Sequence, residues 1–285
     1  MIFNFPLSTV SRLIAIFAGE KHREMRYLVR LSYNGSAFCG WQVQTNAPSI
    51  QGCLQKALST LLNEEISVTG AGRTDTMVNA VNYIAHFETS SFSQSETGFL
   101  CYKLNAILPA GIAVHEVSPA RPDFHARFDA VQREYRYFVH LRKDPFIASR
   151  SYLYTFGLDV DAMNAASELL LGTHDFSCFE KTGGNSRTSV CTVSKAVWES
   201  YTPDHARIMG YPYSDGDYLM FTISADRFLR NMVRATVGTM LEIGRGKRAP
   251  EWISGLLSGG TRSDAGQSVP GHALFLCGVS YPEDR

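Results

Sequence analysis

The segment Thr69 to Ala80, TGAGRTDTMVNA, holds the side chains best placed for chemistry. Ile66 to Thr69 reads as a short strand entering the turn Gly70–Gly72, and Arg73, Thr74 and Asp75 follow before the next strand begins. Glycines let backbone pass close to another surface, and a loop held by flanking strands is where reactive side chains usually sit. A carboxylate at such a place suits nucleophilic or acid–base work. By itself, an Arg-Thr-Asp turn is more often structural, with the aspartate capping a nearby amide. Spacing excludes a nucleotide phosphate loop, because neither GxxxxGKS nor GxxxxGKT occurs.

Other candidates are weaker. His174 and Asp175 read as a loop or helix-cap feature. The eight histidines show no HxxxH or HxH spacing, and the six cysteines no CxxC pair, so neither a metal site nor a disulfide framework is expected. The cysteines read as reduced and mostly buried, which fits a cytoplasmic protein. Lys+Arg and Asp+Glu both total 27, so the net charge is zero. That excludes a uniformly basic coat but not a local basic cleft. Arg227 to Arg248 carries Arg227, Arg230, Arg234, Arg245, Lys247 and Arg248 against Glu242 alone.

The elements that must position Asp75 follow from periodicity. Arg26 to Tyr33 alternates as a half-buried strand ended by Asn34-Gly35. Pro48 and Ser49 open a helix to Asn63 with Ile50, Cys53, Leu54, Ala57, Leu58, Leu61 and Leu62 on one face. Tyr83 to Phe87 and Ile112 to Val117 read as strands, and Gly98 to Ile107 as a helix between them. A second round reads as strands at Arg133–His140, Val190–Glu199, Tyr218–Ser224 and Leu274–Val279, with helices at Val160–Leu171 and Arg227–Ile243. The order predicts an α+β chain of two similar sandwich-like domains with mainly antiparallel sheets meeting at a central cleft. The expected division is residues 25–128 and 129–285. Residues 1–24, too briefly apolar for a membrane span, are expected to be a loosely attached extension before a functional start at Met25.

The loop resembles the signature GRTDxGVxA of the tRNA pseudouridine synthase A family, and the likeness runs along nearly all the chain after Met25. Tyr33-Asn34-Gly35 with Phe38-Cys39-Gly40-Trp41-Gln42, Ser49-Ile50-Gln51, Leu104-Asn105 with Leu108-Pro109, and Gly172 to Phe176 are similar to blocks of that family. So are Phe124-His125-Ala126-Arg127-Phe128 with Arg133-x-Tyr135-x-Tyr137, Phe228 to Arg234 with Gly238, and Leu274-Phe275-Leu276.

The resemblance implies a cofactor-free isomerase of tRNA uridines on the 3′ side of the anticodon stem-loop, acting as a homodimer with no metal and no membrane contact. It implies Asp75 as the essential carboxylate, Arg234 as its ion-pair partner, and Tyr135 against the base as acceptor or relay for the C5 proton. Arg73 would fill the space left by the everted uridine, and Arg127 and Arg230 would bind substrate. By pattern alone Arg234 is a snorkelling arginine on an apolar helix, and Tyr135 a tyrosine of the core or a sheet face. One departure stands out: Met77 occupies a position where the family has glycine, and a positive φ there would be strained. Asn79 lies where the family varies, which gives it no expected role. A catalytically silent tRNA-binding protein on the same scaffold is the competing reading. An aspartate-dependent glycosidase lacks a second carboxylate.

Overall fold

The computed structural model describes residues 24–91, 94–183 and 187–282, so all of the expected N-terminal extension except Glu24 lies outside the described residues. Alternation builds the first strand, β1 (Met25–Tyr33): Tyr27, Val29, Leu31 and Tyr33 are buried, with half-buried residues between them. Ser49 caps α1 (Ile50–Leu62) by accepting the Gly52 N–H, and Asn63 ends it at φ 52°. β2 (Val68–Gly70) then pairs antiparallel with β3 (Asn79–Thr89). α2 (Thr97–Ile107) and β4 (Ile112–Pro119) complete this half, and β1 lies between β3 and β4.

The second half runs β5 (Gln132–His140), β6 (Tyr152–Leu153), α3 (Val160–Glu168), β7 (Gly172–Asp175), β8 (Val190–Ser200), α4 (Asp204–Met209), β9 (Tyr218–Ala225), α5 (Met232–Gly244), α6 (Trp252–Leu257) and β10 (Leu274–Ser280). Among the described residues the halves join edge to edge in one open, ten-stranded sheet with main order β4-β1-β3-β10-β5-β9-β8-β7. The pairing is mainly antiparallel, so the chain is of the α+β class with a large open sheet. β10, the last strand in sequence, lies at the seam: Phe275 and Leu276 run parallel to Asn79 and Ala80 of β3, while its other edge is antiparallel to β5. One apolar core gathers α1 and α2 against β1 and β3, and a larger one gathers α3 and α5 against β5, β8 and β9.

Several boundaries differ from those read in the sequence. The helix expected from Arg227 starts at Met232, because Asn231 adopts φ 66° and the Met232 N–H closes a turn onto the Leu229 carbonyl. The α3 helix stops at Glu168, short of Leu171. His174 and Asp175 belong to a strand instead of a loop; the Asp175 carboxylate accepts the Ser177 N–H across a local turn and does not cap the short helix that follows. The cysteines are all free, but only Cys178 and Cys191 are fully buried. No helix among the described residues is long and apolar enough to cross a membrane, and no group of three or more metal-ligating side chains occurs among them.

Candidate active site

Asp75 is carried by the loop that leaves the sheet after β2 and returns at β3. The chain departs with the Ala71 N–H bonded to the Ile84 carbonyl at 2.9 Å. The backbone of the Phe38–Trp41 segment then holds it: the Trp41 N–H donates to the Thr74 carbonyl at 3.2 Å, and the Met77 N–H to the Phe38 carbonyl at 3.3 Å. Gly40, at φ 88°, has room for no side chain against the Thr74 carbonyl, and behind the loop Gly271 approaches the Thr76 carbonyl equally closely. Buried Thr74 anchors the centre through its hydroxyl, 2.9 Å from that of Tyr33. The loop is fixed from both sides.

Its far end is a four-residue turn, closed by the Val78 N–H on the Asp75 carbonyl at 3.1 Å. Met77 is the third residue and has φ 66°, whereas Thr76 has no positive φ. That is the type II pattern, in which the third position favours glycine. Methionine there is strained by about 1 kcal/mol. Met77→Gly is therefore expected to raise stability by no more than about 1 kcal/mol, because glycine's unfolded-state freedom offsets part of the relief. Turnover should change less than about twofold, since the turn already closes; a thermal melt with a rate assay checks both. A large gain in turnover would show that methionine holds the loop out of place.

Asn79 has a larger part than its sequence position indicated. Buried at the start of β3, it accepts the Gly35 N–H at 2.9 Å and donates to the His272 carbonyl at 2.7 Å. It thus ties the loop's exit to the segment before β10.

Arg234, in the first turn of α5, reaches across from the other half. Its Nη1 lies 3.1 Å from Asp75 Oδ2, and its Nε donates to the Val269 carbonyl at 2.7 Å. The Val269 N–H returns to the Arg234 backbone carbonyl, so the residue is tied to Val269 through both main chain and side chain. The two side chains remain 23% and 27% exposed, enough for a substrate to reach the carboxylate. Beside Arg234 opens a cavity of about 700 Å³ whose lining includes Lys181, Arg262, Asn231 and Ser268 and no carboxylate. Such a wall suits an anionic backbone.

Tyr135 lies on β5 next to the seam, half-buried and edge-on to Phe228 at 5.1 Å and 86°. Burial raises its hydroxyl pKa, and the negative charge of Asp75 raises it further, so the phenol is neutral near pH 7. Arg73 is exposed on the Asp75 loop and has no hydrogen-bond or ion-pair partner among the described residues. Arg127 and Arg230 are exposed too, and the ion pair of Asp75 is with Arg234 and not with either of them. The rest of the basic stretch divides. Arg245 stacks on Phe156 at 3.7 Å and Arg248 on Trp252 at 4.9 Å, beyond the other end of α5. That end is roughly 15 Å from Arg234 at the helical rise per residue.

Arg133 is a positioning residue that motif reading passed over. Its Nη1 donates to the Ala130 and Asp226 carbonyls, both at 2.7 Å, and its Nη2 to those of Ala71 at 3.0 Å and Arg127 at 2.6 Å. One guanidinium joins the Asp75 loop, the 125–130 segment and the end of β9. Its place two residues before Tyr135, within a motif already singled out, was the available signal.

Comparison with known proteins bears on this arrangement. The family model described as tRNA pseudouridine synthase matches residues 166–282. The tRNA pseudouridine synthase A of Parabacteroides distasonis is 42% identical over 259 residues, covering 91% of this chain and 97% of that protein. The protein of the same name from Bacteroides thetaiotaomicron is 43% identical, covering 91% of each chain. That from Colwellia psychrerythraea is 36% identical over 263 residues, covering 91% of this chain and 95% of its own.

Proposed function

The chain belongs to the tRNA pseudouridine synthase A family and is an isomerase acting on tRNA uridine, and from that premise we propose that Asp75 is its catalytic carboxylate. The observation that carries the reading is the Asp75–Arg234 pair, about a quarter exposed to solvent at the seam of the sheet. Isomerisation breaks the C1′–N1 bond, turns the base over, joins C5 to C1′, and moves the C5 proton to N1. Positive charge develops at the sugar as the first bond breaks, and a charged carboxylate at that point stabilises it. Arg234 pairs with the Asp75 carboxylate and aims it.

Tyr135 relays the C5 proton. Its raised pKa keeps the phenol protonated, so it passes a proton on while receiving one and does not act as a free phenolate. Arg73 occupies the stack vacated by the everted uridine, as a planar cation without a competing partner can. Arg127 and Arg230 contact the RNA backbone. The target is the 3′ side of the anticodon stem-loop, and the enzyme works in the cytoplasm as a homodimer in which one tRNA touches both subunits.

Mapping pseudouridine at single-nucleotide resolution in tRNA from cells with and without the gene tests the assignment. Modification at uridines on the 3′ side of the anticodon arm is expected to vanish with the gene. Identical maps would overturn it.

A further inference from the structure

Phe128 is 75% exposed, yet the loop that carries it is firmly held. The His125 N–H donates to Asp129 Oδ2 at 2.9 Å, and the Asp129 N–H returns to the His125 carbonyl at 3.0 Å. The N–H groups of Arg127 and Phe128 both donate to His125 Nδ1, at 3.1 and 3.2 Å. That fixes the histidine ring, which lies against one face of Phe128 with centroids 4.2 Å apart and planes at 30°. Behind it, His86 of β3 meets His125 edge-on at 5.1 Å. The Arg127 guanidinium lies over the Phe128 ring, its carbon 5.6 Å from the ring centroid. With His125 stacked on one face, the exposure of Phe128 leaves the rest of the ring largely open to solvent. Arg133 Nη2 bonds both the Arg127 and Ala71 carbonyls, so the stack is fastened to the loop that bears Asp75.

A ring held at fixed height, largely open to solvent and flanked by a guanidinium, offers what an unpaired nucleobase stacks on, whatever its sequence. A lone ring beside a cation is too small a patch for docking a protein. We propose that Phe128, backed by His125 and flanked by Arg127, is a stacking platform for an unpaired tRNA base next to the everted uridine. The proposal rests on the reading of Asp75 as the uridine site.

Steady-state kinetics and fluorescence test it. Phe128→Ala is expected to raise KM for tRNA about tenfold, with kcat lowered less than about twofold, whereas Phe128→Tyr keeps KM within about twofold. In Phe128→Trp, added tRNA is expected to quench indole emission beyond the change seen in the unaltered protein. The same quenching is expected when Asp75→Asn is combined with it, although no product forms. An unchanged KM in folded Phe128→Ala, or an indole indifferent to tRNA, would overturn the platform while leaving Asp75's assignment intact. Turnover in Asp75→Asn at the ordinary rate would instead overturn the reading of Asp75, with the quenching as a separate readout.

Discussion

Asp75→Asn is expected to slow pseudouridine formation at least about a thousandfold while leaving the protein folded. Asparagine has the same shape, so it keeps an oxygen for Arg234 Nη1 and every backbone bond of the loop. What disappears is the charge. A neutral amide neither bonds to nor stabilises a sugar carbon that becomes positive as its bond to N1 breaks. Stability should fall by only about 1 kcal/mol, because an ion pair about a quarter exposed is screened by solvent. A thermal melt alongside single-turnover product formation separates the two effects. A wild-type rate, or a protein that no longer folds, would refute this division between charge and structure.

Arg234→Ala should be the next most damaging change, lowering turnover about a hundredfold and stability by about 1–2 kcal/mol. Alanine is at ease in a helix, so α5 itself should persist. The loss falls on two contacts that meet at the seam, the one to Asp75 Oδ2 and the one to the Val269 carbonyl. Arg234→Lys should restore little, because an ammonium cannot reach both acceptors with the geometry of a planar fork. Combined with Asp75→Asn, the effects should fall well short of adding, since the two side chains act as a unit. Full activity in Arg234→Ala would remove the ion pair from the mechanism.

The segment around Asp75 was legible because its chemistry is local: a strand, glycines, then Arg-Thr-Asp. β1, α1, β5 and β9 were legible for the same reason, each having a clear period and bounded ends. Arg234 was not. On an apolar helix its pattern matches a snorkelling side chain, and the bond that gives it meaning spans 159 residues. The seam was hidden likewise, since nothing local in Leu274–Ser280 shows that this strand inserts between β3 and β5. Apolar spacing carried the expected helix back to Arg227, but one residue, Asn231 at φ 66°, delays its start. β6, β7, α4 and α6 escaped because two to six residues are too few to display a period. Asn79 lies where the family varies, and only its bonds to Gly35 and His272 reveal its part.

The central claim is that the charge on Asp75 drives the chemistry and binding does not depend on it. Tritium placed at C5 of the tRNA uridines is lost when C5 bonds to C1′, so its release can be followed beside tRNA binding in one preparation of Asp75→Asn. Binding within a few-fold of the unaltered protein and release reduced to background is the predicted result. Release at the ordinary rate would contradict the account.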